Sequence, residues 1–481
     1  MNFKIVFRNV SILLFVLSLS FFLPAFYSLW VGDGLFVDYL YPVVLTFSLF
    51  LIGIQIKNEE PTIKEAILTI VLLWFLFPAL SAFFYVKTGT IPNVFDAYFE
   101  SVSGFTTTGA SILTNIEALP KSVLLWRSTT HWVGGVGFVV FSLSFLPILG
   151  AGGAQLIRFE ASKVVEEKIV PRVKEMARVI LIVYVSLTFA EIILLKLAGV
   201  SLYDAVNHAF ATIATGGFSN KNDSVAAFHS FPVELIVAVF MVAGATNLMT
   251  YYLAYKKRSL RAIFSYYESK SFLSILLFSI VFTALVLFFE KSYNSLGSAF
   301  RYAMFAVVSA ATTTGFATAD YTKWPPVTQA LLMLLEVIGG ASGSTAGGLK
   351  QFRLMTMVKT TYWELKKTLH PRLVYKVVVG GKVIDYALMN NIWAFISIYF
   401  STMIFFGFLL SLSGNDILTS FSASIACITG SGPGLEKVGP CGNYAFFSSL
   451  DKVLLSIEMI LGRLEVLTAL TLLLPSFWKS D

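Results

Sequence analysis

Four short segments of this chain carry one pattern at nearly even spacing: Thr107-Thr108-Gly109-Ala110, Thr215-Gly216-Gly217-Phe218, Thr313-Thr314-Gly315-Phe316 and Gly430-Ser431-Gly432-Pro433. Each follows a short amphipathic run, and each run lies between two long apolar stretches. The repeating unit is helix, half-length helix, glycine turn, helix. Four covalently linked copies of that unit can close a ring around one axis, and nothing else in the chain constrains its fold so strongly.

Composition sets the solvent. The 481 residues are 56% hydrophobic and 15% aromatic with 13% charged, and the mean hydropathy is +0.77, far from the range of soluble domains. Stretches long enough for a hydrocarbon core of ~30 Å lie near 10–30, 39–56, 64–86, 121–146, 176–198, 232–255, 270–290, 325–362 (interrupted), 386–413 and 450–474. The first stands behind Lys4 and Arg8 like a signal peptide, but Pro24, Phe26 and Trp30 occupy the place of a small-residue cleavage site, so a retained helix is expected. The expected fold is an all-α membrane protein with four helix–pore-loop–helix repeats around a central pore. An N-terminal pair of helices occupies 1–60, and the repeats occupy 61–150, 170–258, 268–368 and 383–478.

With the N-terminus on the cytoplasmic side, the tails and loops of that side hold more than two thirds of the 35 Lys and Arg residues, as the positive-inside rule requires. Both termini are then cytoplasmic, and all four glycine turns face outside. The same bias explains the net charge of +7 and argues against nucleic acid; Lys256-Lys257-Arg258 suits anionic lipid instead. Cys427 and Cys441 form no metal-binding spacing.

The half-helices open alike, at Val94-Phe95-Asp96, Leu202-Tyr203-Asp204 and Asp416-Ile417-Leu418, where an Asp would cap free N–H groups and suit the helix dipole. Ser295 or Ser298 takes that place in the third repeat. About 11 residues of helix reach ~16 Å, half the bilayer. A buried non-helical backbone at that depth leaves carbonyls unsatisfied unless they line a wet cavity. A cation supplies the missing partner, because a ring of carbonyls can replace the water around an ion of one size. Glycine at the third position permits the φ > 0 geometry that aims successive carbonyls inward, and the threonines add hydroxyl oxygens and stiffness. A single such turn is an ordinary loop; four in register indicate a cation pathway.

The wording of these repeats resembles the Trk/Ktr superfamily of potassium-uptake proteins, and the extra N-terminal pair resembles its Trk branch. The specific marks are Ser103-Gly104-Phe105-Thr106-Thr107-Thr108-Gly109-Ala110, His131-Trp132-Val133-Gly134-Gly135-Val136-Gly137, the run from Gly339 to Lys350, and Gly462-Arg463-Leu464-Glu465. The resemblance implies a K⁺ filter, with Rb⁺ a plausible congener, around Gly109, Gly217, Gly315 and Gly432. Its flanking positions are Thr107, Thr108, Thr215, Gly216, Thr313, Thr314, Gly430 and Ser431, the fourth turn departing most. It further implies the cytoplasmic (inner) membrane of a prokaryote, a homodimer with one pore per protomer, and a separate cytosolic ring subunit with nucleotide-binding domains, since no nucleotide site is visible here.

Residues 339–348, with Gly339, Gly340, Gly343, Gly347 and Gly348, contain no apolar side chain larger than a methyl group. Such a run inside a long span persists only against water or protein. The resemblance makes it a gating loop beneath the filter; close helix packing through small residues is the alternative. Arg463 sits mid-span without an acid on its own face, so it should face the pore as an electrostatic barrier or pair with an acid such as Glu336. Arg127 has the same lack of local partners.

Two other readings compete. Glu191, Glu290, Glu336 and Glu458 could relay protons in a K⁺ symport coupled to H⁺ or Na⁺. Gly340-Ala341-Ser342-Gly343 matches the GxSG of an intramembrane serine protease, but no histidine follows His370 to activate the serine. The dispersed His131, His208, His229 and His370 suit packing or loop roles.

Overall fold

The computed structural model describes residues 1–145 and 173–479; the basic stretch at 158–172 lies outside them. At the N-terminus α1 (Phe3–Ser18) passes through one 3-10 turn into α2 (Phe22–Val31), and α3 (Phe36–Gly53) returns. This pair is bound into the rest of the molecule: Phe21 stacks on Trp126 with ring centroids 3.8 Å apart, and Tyr39 donates to Ser122 at 3.1 Å.

Four units then follow in the same order, a long helix, a short helix, a turn and a return. They are α4 (Ile63–Lys87), α5 (Val94–Phe105) and α6 (Lys121–Phe145); then α7 (Val173–Leu197), α8 (Leu202–Ile213), α9 (Phe231–Ala245) and α10 (Leu248–Lys257). After the short α11 (Arg261–Ser265) come α12 (Tyr267–Phe289), α13 (Leu296–Ala311), α14 (Pro326–Ile338) and α15 (Gln351–Leu369). A two-stranded antiparallel hairpin, β1 (Val377–Val379) and β2 (Lys382–Ile384), precedes α16 (Tyr386–Leu412), α17 (Ile417–Thr429), α18 (Ser449–Arg463), α19 (Val466–Leu470) and α20 (Pro475–Trp478).

Among the described residues, six helices are long and apolar enough to cross a membrane, or seven if the pair α9–α10 is counted as one span. Their outward faces are apolar, as at Leu277, Phe278 and Phe289 on α12, which suits a lipid solvent. The expected continuous span at 232–255 is corrected: it bends by 94° between α9 and α10. The cause is Asn247, whose side chain accepts from Met249 N at 2.9 Å and caps a new helix. The 450–474 stretch also breaks, at Glu465, which takes φ +56° and pairs with Arg353 at 2.7 Å.

The half-helices run for 12, 12, 16 and 13 residues. Their caps correct the expectation at two places. Asn93 and Ser201 are the N-caps of α5 and α8, and Asp96 and Asp204 stand in the first turn, where a carboxylate still suits the dipole. Ser295 caps α13 and Asp416 caps α17, donors arriving from Ser298 N at 3.1 Å and Thr419 N at 2.9 Å.

Candidate functional site

Each half-helix ends in the same way. The second residue of each turn sends its N–H back five residues: Thr108 N to Ser103 O at 3.0 Å, Gly216 N to Ala211 O at 2.8 Å, Thr314 N to Ser309 O at 2.9 Å and Ser431 N to Ala426 O at 3.0 Å. This closure requires a left-handed residue just before it. Thr107, Thr215 and Thr313 take φ of 55°, 53° and 51°, and Gly430 takes 71°. A β-branched residue in that region costs about 1–2 kcal/mol, so Gly430 is the unstrained version of the same conformation. The departure of the fourth turn is therefore one of side chain, not of backbone.

The four turns meet. A Cβ built on Gly109 would overlap the carbonyl oxygen of Gly216; one on Gly217 would overlap Thr314 O, one on Gly315 Ser431 O, and one on Gly432 Thr108 O. Each glycine thus packs on the second carbonyl of the next turn, and the fourth closes on the first. All four glycines have φ between 79° and 85°. They also line one side of a vestibule of about 150 Å³ together with Arg127 and Cys441. On the opposite side of the ring, Thr106, Thr108, Thr429 and Gly430 line a cavity of only about 20 Å³, room for roughly one water or one bare ion.

Hydroxyls clasp three of the turns from behind. Thr106 meets Thr108 at 2.8 Å, Thr312 meets Thr314 at 2.7 Å, and Thr429 donates to Ser431 at 3.1 Å. Tyr444 donates to Gly432 O at 2.7 Å. Arg127 is buried and pairs with Glu100 at 2.7 Å, and its Nη1 reaches Ser219 O of the second turn at 3.1 Å. Glu100 also accepts from Ile112 N at 3.0 Å, so one ion pair ties the first turn's exit to the second. The sequence carried no local sign of that partner, since Glu100 lies on another helix.

Residues 339–350 are irregular between α14 and α15, and they lie directly beneath the ring. Gly347 N donates to Thr313 Oγ1 at 2.7 Å, and Gly348 N to Thr429 O at 3.1 Å. The loop's other ties reach the second unit: Ala341 N to Ala245 O at 2.9 Å and Thr345 Oγ1 to Ile213 O at 2.9 Å. The bend between α9 and α10 frees the Ala245 carbonyl, and the end of α8 frees that of Ile213. Glu268 Oε2 accepts from Ser342 N at 2.7 Å, and Lys350 Nζ caps Ala346 O.

Arg463 is buried at the small cavity, its Nη1 donating to Thr345 O at 3.0 Å and its Nη2 to Gly134 O at 3.3 Å. Glu336 is not brought to it: its carboxylate accepts from Ser431 Oγ at 2.9 Å, behind the fourth turn. Glu458 takes the hydroxyl of Ser424 at 2.5 Å, Glu191 is buried on α7, and Glu290 is exposed at the end of α12. No hydrogen-bonded chain links these acids among the described residues. Both cysteines are free.

Four half-helices whose turns close on one another, surrounded by helices apolar enough to cross a membrane, define a multi-pass membrane protein whose short helices converge on one backbone ring. The family model for TrkH cation transport proteins matches residues 55–480. The Trk system potassium uptake protein TrkH of Vibrio parahaemolyticus is 35% identical over 496 residues, covering all of both chains, and that of Escherichia coli K12 is 33% identical over 485 residues with the same coverage. The crystal structure of the potassium transporter TrkH from Vibrio parahaemolyticus superposes with a TM-score of 0.90 at 32% identity, again over the whole of both chains. The chain belongs to the TrkH family of cation transport proteins. Membership of a transport family removes the serine-protease reading of residues 340–343.

Proposed function

We propose that this chain takes up K⁺ across a cytoplasmic membrane, selecting it at the ring of Gly109, Gly217, Gly315 and Gly432 and admitting it past a gate formed by 339–348. The observation that carries this is the closure of the ring, in which every turn presents its second carbonyl to the glycine of its neighbour. Arg463 supplies a fixed positive charge below the ring, a barrier to any cation that has passed it. The repeats at 61–150, 170–258, 268–368 and 383–478 are the quarters of the pore, and the glycine turns face outside. Homodimerisation and a cytosolic nucleotide-binding ring subunit complete the reading, as the resemblance of the repeats to the Trk branch implies; anionic lipid at the basic loops follows from their charge.

The test is ⁸⁶Rb⁺ uptake and K⁺-dependent growth in a potassium-uptake-deficient cell. Growth at limiting K⁺ with saturable ⁸⁶Rb⁺ entry is expected; full membrane expression without either would overturn the reading. Reversal potentials under imposed pH and Na⁺ gradients distinguish passive flow, expected here, from coupled symport.

A further inference from the structure

The second turn breaks a rule that the other three keep. Its hydroxyl clasp is absent, because Ala214 and Gly216 stand where the first turn has Thr106 and Thr108, the third Thr312 and Thr314, and the fourth Thr429 and Ser431. Gly216 is not required by the backbone: among the described residues it is absent from the glycines with positive φ, so a serine there would be conformationally ordinary. The reason for glycine is spatial. A Cβ built on Gly216 falls on the imidazole ring of His131.

His131 belongs to a stripe on α6 that follows the second turn at i, i+4 spacing. Arg127 holds Ser219 O at 3.1 Å, His131 lies against Gly216, and a Cβ on Gly135 would meet Ala214. Phe218 is wedged between the first two: its ring lies 4.0 Å from the Arg127 guanidinium and 4.1 Å, edge to face, from the His131 ring. His131 is fully buried, and neither of its ring nitrogens has a hydrogen-bond partner among the described residues. Burying an imidazole without partners is costly; a group kept there only to fill space would more cheaply be apolar.

We propose that His131 is a positioning residue for the second quarter of the ion filter, its imidazole taking the place of the missing side-chain clasp and fixing the aim of the Gly216 carbonyl. This rests on the filter reading above. Removing the ring leaves the turn without a hydroxyl clasp unsupported, and restoring both hydroxyls, at Ala214 and at Gly216 in the space so vacated, rebuilds the pair that the other three carry.

The experiment is a set of combined variants read as the K⁺/Na⁺ permeability ratio in proteoliposomes, with thermal stability measured on the same preparations. His131→Ala should lower the ratio about tenfold, the equivalent of ~1.4 kcal/mol. Gly216→Ser, with the imidazole in place, should lower stability and ratio together. His131→Ala with Ala214→Ser and Gly216→Ser should recover most of the lost ratio, whereas His131→Ala with Gly216→Ala, which fills space without a hydroxyl, should not; equal recovery in both would make the histidine merely space-filling and overturn the inference. If His131→Ala fails to reach the membrane, the triple variant decides alone: selectivity near the wild-type ratio supports the inference, and a non-selective folded protein overturns it. A K⁺-selective wild type whose ratio survives His131→Ala overturns this inference alone, whereas a wild type without K⁺ preference overturns the filter reading and this inference with it.

Discussion

The glycine turns and the loop beneath them are written in the same few residues, yet they are held in opposite ways. Each turn is bonded to its own half-helix within five residues, and the same bond recurs in all four. The loop at 339–350 is closed at its ends on α14, by Leu349 N to Val337 O and Lys350 N to Ile338 O, but between them it draws bonds from distant elements: Ala245, Ile213, Thr313, Thr429, Glu268 and Arg463. A segment fixed by its own helix keeps its shape when neighbours shift; one whose middle is tied to several neighbours loosens there when they move. On the gate reading proposed above, small residues serve rigidity in one region and release in the other.

The largest effect tests the rigid side. Arg127→Ala strands the Glu100 carboxylate and should cost about 3–5 kcal/mol, read as a fall in thermal stability and in K⁺/Na⁺ selectivity. The Arg127→Ala, Glu100→Ala double variant should recover part of that stability; strict additivity would mean that the pair does not tie the first two turns together.

Next is Arg463, which belongs to both accounts because it donates to Thr345 O and carries charge at the small cavity. Two unit charges 4 Å apart interact by ~4 kcal/mol at an effective dielectric of 20 but only ~1 kcal/mol in water; for a hydrated ion the lower figure sets the scale, so Arg463→Ala should raise single-channel conductance several-fold. Arg463→Lys keeps the charge and should conduct like the wild type. Equal conductance gains in both variants would move the effect from charge to anchoring of the loop.

A smaller change is expected from shortening the loop between Gly340 and Gly347, which should raise ⁸⁶Rb⁺ uptake a few-fold and leave the permeability ratio unaltered. Loss of flux with full membrane expression would make the segment a packing element. The smallest is chemical: a cationic thiol reagent added from the vestibule side should partly block flux through exposed Cys441, with Cys441→Ser insensitive and buried Cys427 unreactive. Full block persisting in Cys441→Ser would place the reactive thiol elsewhere.

The turns and the loop were legible because their backbone conformations demand particular residues, and those residues are rare in apolar spans. The break after α9 was not, since Thr246-Asn247 is a two-residue cap inside an otherwise apolar stretch; a capping residue just after Gly244-Ala245 was the available sign. The starts of α5 and α8 were placed correctly, but their caps were misread by three residues for a related reason. Asn93 and Ser201 precede Asp96 and Asp204 in the spacing of a cap and its first-turn acid, and attention to the acids hid the caps. Arg127 and Glu100, 27 residues apart, are paired only by the crossing of α5 and α6. Arg463 was expected to choose between the pore and Glu336, and the alternative fell because Ser431 holds that carboxylate.

The central claim is that four glycine turns form one filter, and reversal potentials of glycine variants test it most directly. Gly109→Ser, Gly217→Ser, Gly315→Ser and Gly432→Ser each force a side chain into a left-handed backbone position and onto a neighbour's carbonyl, a strain of about 1–3 kcal/mol. Each should lower the K⁺/Na⁺ permeability ratio about tenfold or more in protein that still folds. Four folded variants with the wild-type ratio would contradict the account.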